Sequence, residues 1–248
     1  MDRSNHKRID SLLRGQVFGG DTDNPDIIYR YAECLSFIEK CTVVVSDLKA
    51  GTSRIFHGRF SDILGIKRRE ENENSIWEKE ILSLMSAEQM EKKYLSELRY
   101  FNFLRHIPRG KRGNYHLESH LKMKDNTGKI LDILHRMYYS YEKDSDTVRF
   151  GICIYELMVF ELPSDSVAID SLSGKWIEIT SKTDGDILSV REKQVLSLVE
   201  KGFTSQEIAT QLYISKNTVS RHRQEILSKM QVKNSTEACL RAKQLHIL

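Results

Sequence analysis

Apolar positions along the chain change their spacing three times. An apolar patch at Ile9, Leu12 and Leu13 predicts a short helix or arm, and the turn-prone run Gly19 to Pro25 follows it. From Ile27 to Ile38 the spacing is helical (Ile27, Ile28, Tyr31, Leu35, Ile38). Thr42 to Leu48 is β-branched and reads as a strand, Ala50-Gly51 as a tight turn, and Ser53 to His57 as the returning strand. Phe60 to Ile66 is a short apolar helix, and the charged run Lys67 to Glu73 an exposed loop. Ile76 to Met85 and Ala87 to Ile107 return to helical spacing. The second carries Met90, Tyr94, Leu98, Phe101 and Leu104, and Pro108 and Gly110 stop it.

Tyr115 to Lys124 then alternates (Tyr115, Leu117, Ser119, Leu121, Met123), which is the period of a half-buried strand. Asp125 to Gly128 is a hairpin turn, Ile130 to Tyr141 a long strand, and Thr147 to Phe160 a third. Strand, strand, helices and a three-stranded meander, in that order, resemble a PAS domain over roughly residues 37–161. The resemblance implies a curved five-stranded antiparallel sheet, helices over one face and a small cavity between. A generic α+β domain with a solid core fits the same order. Residues 1–36 are then a helical arm and 162–187 a linker, in which 167–170 and 175–179 flank a turn that would close a small hairpin. Ser181 to Asp186 is the expected domain boundary.

Residues 188–248 punctuate themselves into four helices. Ser189 with Glu192 and Thr204 with Glu207 are capping boxes. Val195, Leu196, Leu198 and Val199 follow at core spacing, Gly202 ends the first helix, and Ile208, Ala209 and Leu212 are buried positions of the second. Tyr213 to Ser215 is the turn, with Ile214 toward the core. The third helix runs from Ser215 to about Met230, with Val219, His222, Ile226, Leu227 and Met230 near one face and Lys216, Asn217, Ser220, Arg221, Arg223 and Gln224 off it. A short helix, a tight turn and a longer helix with polar and basic positions make a helix-turn-helix. The longer helix fits a major groove, where Arg can grip guanine and Gln adenine. The blocks 188–196, 202–209, 212–222 and 229–238 resemble the LuxR/FixJ-type helix-turn-helix. That resemblance implies that Glu192 bonds within the domain, that Lys216 and Thr218 meet phosphates, that Ser220, Arg221 and Gln224 face base edges, and that Lys229 reaches the backbone. Arg223 is a phosphate contact or a surface charge, and His222 is a packed core residue. Ser220 stands where the family often has Lys or Arg.

Composition narrows the function. Hydrophobic residues are 40% and charged residues 29% of the chain, ordinary for a globular protein, and no apolar run is long enough to span a bilayer. Met1 to Asp10 is polar, which points to the cytoplasm rather than to secretion. The four cysteines (34, 41, 153, 239) are scattered, so neither a zinc site nor a disulfide framework is expected. From Asp186 onward ten Lys/Arg face six Asp/Glu, a basic module on a near-neutral body, which fits a polyanion. Asp47 ends a strand, but its antiparallel surroundings argue against a phosphorylated receiver, and the aromatic cluster of an acyl-homoserine-lactone receptor is not apparent. No phosphate loop or catalytic triad is visible, so no enzyme, cofactor or metal is expected. Within the PAS-like region Tyr115, Leu117, His135, Met137, Cys153 and Tyr155 are the candidate ligand-cavity residues. The expectation is an α+β sensor or dimerisation domain followed by an all-α DNA-binding domain. The bacterial chain acts as a homodimer on double-stranded DNA, with RNA polymerase and a small-molecule ligand as further partners. The alternative is a ligand- or protein-binding signalling module whose C-terminal domain contacts a partner protein.

Overall fold

A computed structural model describes residues 4–19, 25–67, 75–143, 145–180, 188–230, 232 and 234–244. The expected charged loop at 68–73 and the boundary at 181–186 lie outside them. The chain divides into two compact units, one of Met1–Ile9 and Phe18–Thr183, the other of Asp10–Val17 and Asp184–Leu248.

The first unit is built on one seven-stranded sheet. Its strands are β1 (Thr42–Asp47), β2 (Thr52–His57), β3 (Tyr115–Lys124), β4 (Ile130–Tyr141), β5 (Val148–Leu157), β6 (Ser166–Asp170) and β7 (Trp176–Glu178), in the order β2-β1-β5-β4-β3-β6-β7. Every pairing is antiparallel. Tight turns set the register. In the β1–β2 turn Asp47 accepts the Ala50 amide at 2.7 Å and Gly51 takes φ 71°, a left-handed value suited to glycine. Asp47 also forms a buried ion pair with Arg149 of β5, so its carboxylate is committed to the sheet.

Two strands more than the expected five are present. The outer edge of β3 pairs with β6 over Tyr115–Ser119, and β6 pairs with β7. The hairpin placed in the linker thus forms, but as part of the sheet. The reason is the unpaired edge that β3 would otherwise expose. Val167 and Ala168 are buried there.

Helices flank both faces, where the resemblance implied one. On one side lie α3 (Arg59–Leu64), α4 (Lys79–Ser83) and α5 (Ala87–His106), followed by the short α6 (Arg109–Arg112). Ser86 caps α5 by accepting the Gln89 amide. The inner stripe of α5 includes Tyr94, Leu98, Tyr100, Phe101 and Leu104, and Tyr100 and Phe101 pack on Tyr139 of β4 with ring centroids 5.7 and 5.9 Å apart. On the opposite face lies α2 (Pro25–Glu39), whose Ala32, with Ile28, Tyr29 and Leu35, packs against Val43, Val45 and Ile154. The first helix, α1 (Ser4–Arg14), buries Ile9, Leu12 and Leu13, the three residues of the N-terminal apolar patch.

Gly58 shows how tightly the α2–β1 corner is closed. Its amide donates to the Cys41 carbonyl at 3.0 Å, and a Cβ at this position would overlap the backbone carbonyls of Cys41 and Ser36. Backbone cannot step aside as a side-chain end can. Gly58→Ala is therefore expected to lower the unfolding free energy by about 2–3 kcal/mol, although its φ suits any residue. Urea denaturation followed by circular dichroism measures it, and an unchanged midpoint would contradict the packing described.

Candidate nucleic-acid interface and interior polar cluster

The second unit holds α7 (Val190–Glu200), α8 (Ser205–Gln211), α9 (Lys216–Met230) and α10 (Ser235–Gln244). Each start is fixed by a side chain. Ser189 accepts the Glu192 amide at 3.2 Å while Glu192 takes the Ser189 amide at 2.6 Å. Thr204 and Glu207 repeat that arrangement, and their backbone and side-chain donors hold the Glu207 carboxyl below its ordinary range. Ser215 caps α9 through the Thr218 amide at 3.0 Å, and Asn234, one residue before the expected Ser235, caps α10 through the Glu237 amide at 2.9 Å. Glu192 is buried, in keeping with an internal role.

The turn between α8 and α9 needs an unusual backbone. Tyr213 takes φ 54° and is 95% exposed, and the Ile214 amide closes back on the Ala209 carbonyl at 3.0 Å. This is a left-handed helix stop made without glycine. Arg191 of α7 donates to the Leu212 carbonyl, which pins the turn to the first helix. The core is Leu188, Val195, Leu196, Ile208, Ala209, Val219, Ile226, Ala238 and Ala242, all buried. Leu212, Ile214 and Leu227 are only half-buried. Lys243 of α10 pairs with Glu200 of α7 at 2.7 Å.

Against this core α9 turns one polar face outward. Lys216, Asn217, Ser220, Arg221 and Gln224 are all exposed. At about 100° per residue they occupy one arc, opposite the buried Val219 and Ile226. Arg221 lies 3.6 Å from Glu225 and keeps 68% of its side chain open. Thr218 is half-buried, and its hydroxyl shares a 2.8 Å hydrogen bond with Ser215. The side chain of Lys229 lies outside the described residues, as does Lys233. His222 is half-buried with its Nδ1 3.3 Å from Glu225, which fits the packed role expected of it.

Arg223 differs from the rest. Its guanidinium donates to Ser205 at 3.0 Å and to Ser235 at 3.2 Å. It ties α9 to the first turns of α8 and α10, so neither a free surface charge nor a simple phosphate contact describes it. Helical geometry carried the signal, because Arg223 sits about 40° around the helix from Val219.

Residues 186–242 match the family model described as "Bacterial regulatory proteins, luxR family". The C-terminal unit carries a LuxR-family helix-turn-helix domain. The chain is 44% identical over 64 residues to the transcriptional regulatory protein ComA of Bacillus subtilis, covering 26% of this chain and 30% of that one. It is 38% identical over 63 residues to the response regulator VraR of Staphylococcus aureus, covering 25% and 30%. The chain thus spans 30% of the length of these curated relatives. Among solved structures, a phage VqmA–DPO complex aligns with 91% of this chain and 92% of its own at 14% identity and a TM-score of 0.34. Escherichia coli SdiA aligns over 99% of both chains at 14% identity and a TM-score of 0.24. Both likenesses are too slight to argue from.

The sheet register puts all six cavity candidates of the first unit on one face. Leu117 lies opposite Met137, Met137 opposite Cys153 and His135 opposite Tyr155, and Tyr115 shares their side of β3. Five are buried; Tyr115 is half-buried at the margin, with its ring 5.3 Å from Phe103. Sequence reasoning missed what covers them. Lys93 and Glu97 of α5, with Glu78, are buried on this face, although they read as parts of charged segments. Lys93 Nζ lies 2.6 Å from Glu97 and 3.6 Å from Glu78, and the Tyr155 hydroxyl donates to Glu78 at 2.8 Å. A signal was available, since Lys93 and Glu97 flank Tyr94 and Leu98 at i, i+4 spacing on the apolar stripe.

Burial and charge act in opposition here. Burial alone would depress the Lys93 ammonium, but Glu78 and Glu97 outweigh it and hold the pKa above the usual lysine range. Burial raises Glu97 despite Lys93, and it depresses His135, with Lys93 adding to the effect. Neutral His135 therefore stabilises the fold fully above its unfolded value near 6.5. That contribution is lost as pH falls below 6.5, where the unfolded chain takes up the proton first. Between pH 7.5 and 5.5 the native protein should lose about 1.4 kcal/mol of stability that a His135→Gln variant does not lose. Parallel urea melts of the two proteins across that range check this, and equal slopes would contradict it.

Proposed function

We propose that the protein is a sequence-specific DNA-binding transcription regulator of the bacterial cytoplasm. In this reading it acts as a dimer on a two-fold operator under a PAS-like sensor domain, with no catalytic chemistry of its own. The observation that carries the reading is the outward arc of α9. Five polar or basic side chains project from a helix whose far side is locked into a capped core, on a domain of the LuxR-family type. Arg221 and Gln224 can make bidentate contacts to guanine and adenine, and Ser220 can bond to either strand's base edges. Lys216 and Thr218 lie at the start of the helix, where the backbone amides and the helix dipole favour a phosphate. Lys229 extends the same basic side along α9.

One recognition helix reads only a few base pairs, so dimerisation is the route to adequate specificity. Two exposed apolar surfaces support it. On α10 Leu240 is 61% exposed. On α2 the face away from the sheet carries Ile27, Tyr31, Cys34 and Ile38, spaced four, three and four apart as in a coiled-coil seam, all exposed. The ligand reading rests on the polar groups buried behind the cavity candidates, which a small molecule with matching donors would satisfy. RNA polymerase follows as the further contact of a regulator seated on a promoter.

Selection on random duplexes should return an inverted repeat. Arg221→Ala should weaken binding to that sequence by roughly 5- to 150-fold, and relax the preference at one position in each half-site. Lys216→Ala should weaken all sequences alike and flatten the salt dependence. No enriched sequence, or one indifferent to Arg221→Ala, would favour a protein partner for this domain instead.

A further inference from the structure

Three metal-donor side chains meet inside the first unit. Glu97 comes from α5, His135 from β4 and Cys153 from β5, and their donor atoms all lie within 4.8 Å of one another. Glu97 and His135 are no more than 1% exposed, and Cys153 is buried at 6%. Two of the polar atoms have no hydrogen-bond partner, namely His135 Nε2 and Glu97 Oε2. We propose that this cluster binds one divalent ion of the zinc class through Glu97, His135 and Cys153.

The imidazole is already set as a ligand. Its Nδ1 shares a 3.1 Å hydrogen bond with Ser119, and donation to that hydroxyl leaves the Nε2 lone pair facing Glu97. A second-shell partner of this kind fixes the tautomer and aim of a metal-bound histidine. Nε2 stands 3.8 Å from Glu97 Oε1, too far for a hydrogen bond and near the edge of a coordination tetrahedron, about 3.4 Å for bonds of about 2.1 Å. Lys93 holds Oε1, so the unpartnered Oε2 is the oxygen open to an ion.

Charge balance points the same way. Lys93 carries one positive charge, and Glu78 and Glu97 carry one negative charge each when ionised. An isolated net charge in the interior is costly. Binding a divalent ion releases the Cys153 proton to solvent and forms a thiolate, which brings the cluster to zero. Without a cation, burial keeps that thiol protonated. A proton on Glu97 would also neutralise the cluster, and it is the competing occupant. The mixed carboxylate, imidazole and thiolate set suits zinc or cobalt better than magnesium or calcium. The other trio of donors among the described residues, Glu192, His222 and Glu225, is weaker as a site, because Glu192 is committed to capping α7.

The test uses the full chain, reduced, stripped with a chelator and titrated with cobalt(II). One ion per chain by native mass spectrometry is expected, with a thiolate-to-cobalt charge-transfer band. The band should vanish in Cys153→Ser and survive in Cys34→Ser and Cys239→Ser. Should Cys153→Ser fail to fold, the unaltered chain gives the answer. Added zinc should raise its thermal midpoint and protect Cys153 from alkylation in mild urea, as read by peptide mapping. Unchanged midpoint and alkylation would assign the cluster to a proton alone and overturn the proposal. A band that persists in a folded Cys153→Ser variant would overturn it equally.

Discussion

The register of the β3–β4–β5 meander is the constraint on which the first unit depends. Side chains alternate between faces, so a slip of one residue would carry Leu117, Ser119, His135, Met137, Cys153 and Tyr155 out of the helix-facing layer together. Each end of the meander is held. Asp125 accepts the Thr127 and Lys129 amides at 2.8 and 2.9 Å in the β3–β4 turn, and Glu142 donates its amide to the Thr147 carbonyl at 2.9 Å at the other. Pairing β1 with β5 then extends the same face, and α5 lies across it.

That face is not uniformly apolar. A solid hydrocarbon layer would give a stable sheet with nothing to sense. Here a lysine, two glutamates, a histidine and a tyrosine are buried together among leucines and isoleucines. Such a network is costly unless each member is satisfied, and the atoms without partners are where an occupant would be held most strongly. The second unit follows the opposite design. Its core is small and apolar, its helix starts are all capped, and its polar groups are spent on holding three short helices beneath α9. Arg223 belongs to that scaffold, since it bridges the starts of α8 and α10.

Much of this was legible in the order of residues. Periodicity marked the five central strands, the long α5 and the four C-terminal helices, because the spacing of apolar side chains is a local property. Capping boxes at Ser189 and Thr204 marked helix starts to within a residue, since a cap and its partner sit three positions apart. The six cavity candidates were found because strand alternation sorts side chains by face. The readings that shifted involved partners distant in sequence. The hairpin of β6 and β7 read as linker, because nothing local says that the edge of β3 needs a neighbour. The α2 helix, read as part of an arm, lies on the sheet because Val43, Val45 and Ile154 form an apolar patch only once β1 and β5 pair.

The sequence by itself determined which segments are helix and strand, where the helix-turn-helix begins, and which face of α9 is polar. These depend on spacings of two to four residues. Tertiary structure alone decided that Lys93, Glu97, Glu78, His135 and Cys153 share one buried site, and that Arg223 is held by two serines. Those residues lie on different elements, and only the sheet register and the crossing of helices bring them within bonding distance. Burial then reverses the meaning of the charge pattern, because a lysine and two glutamates that read as solvent-facing become the polar centre of the fold.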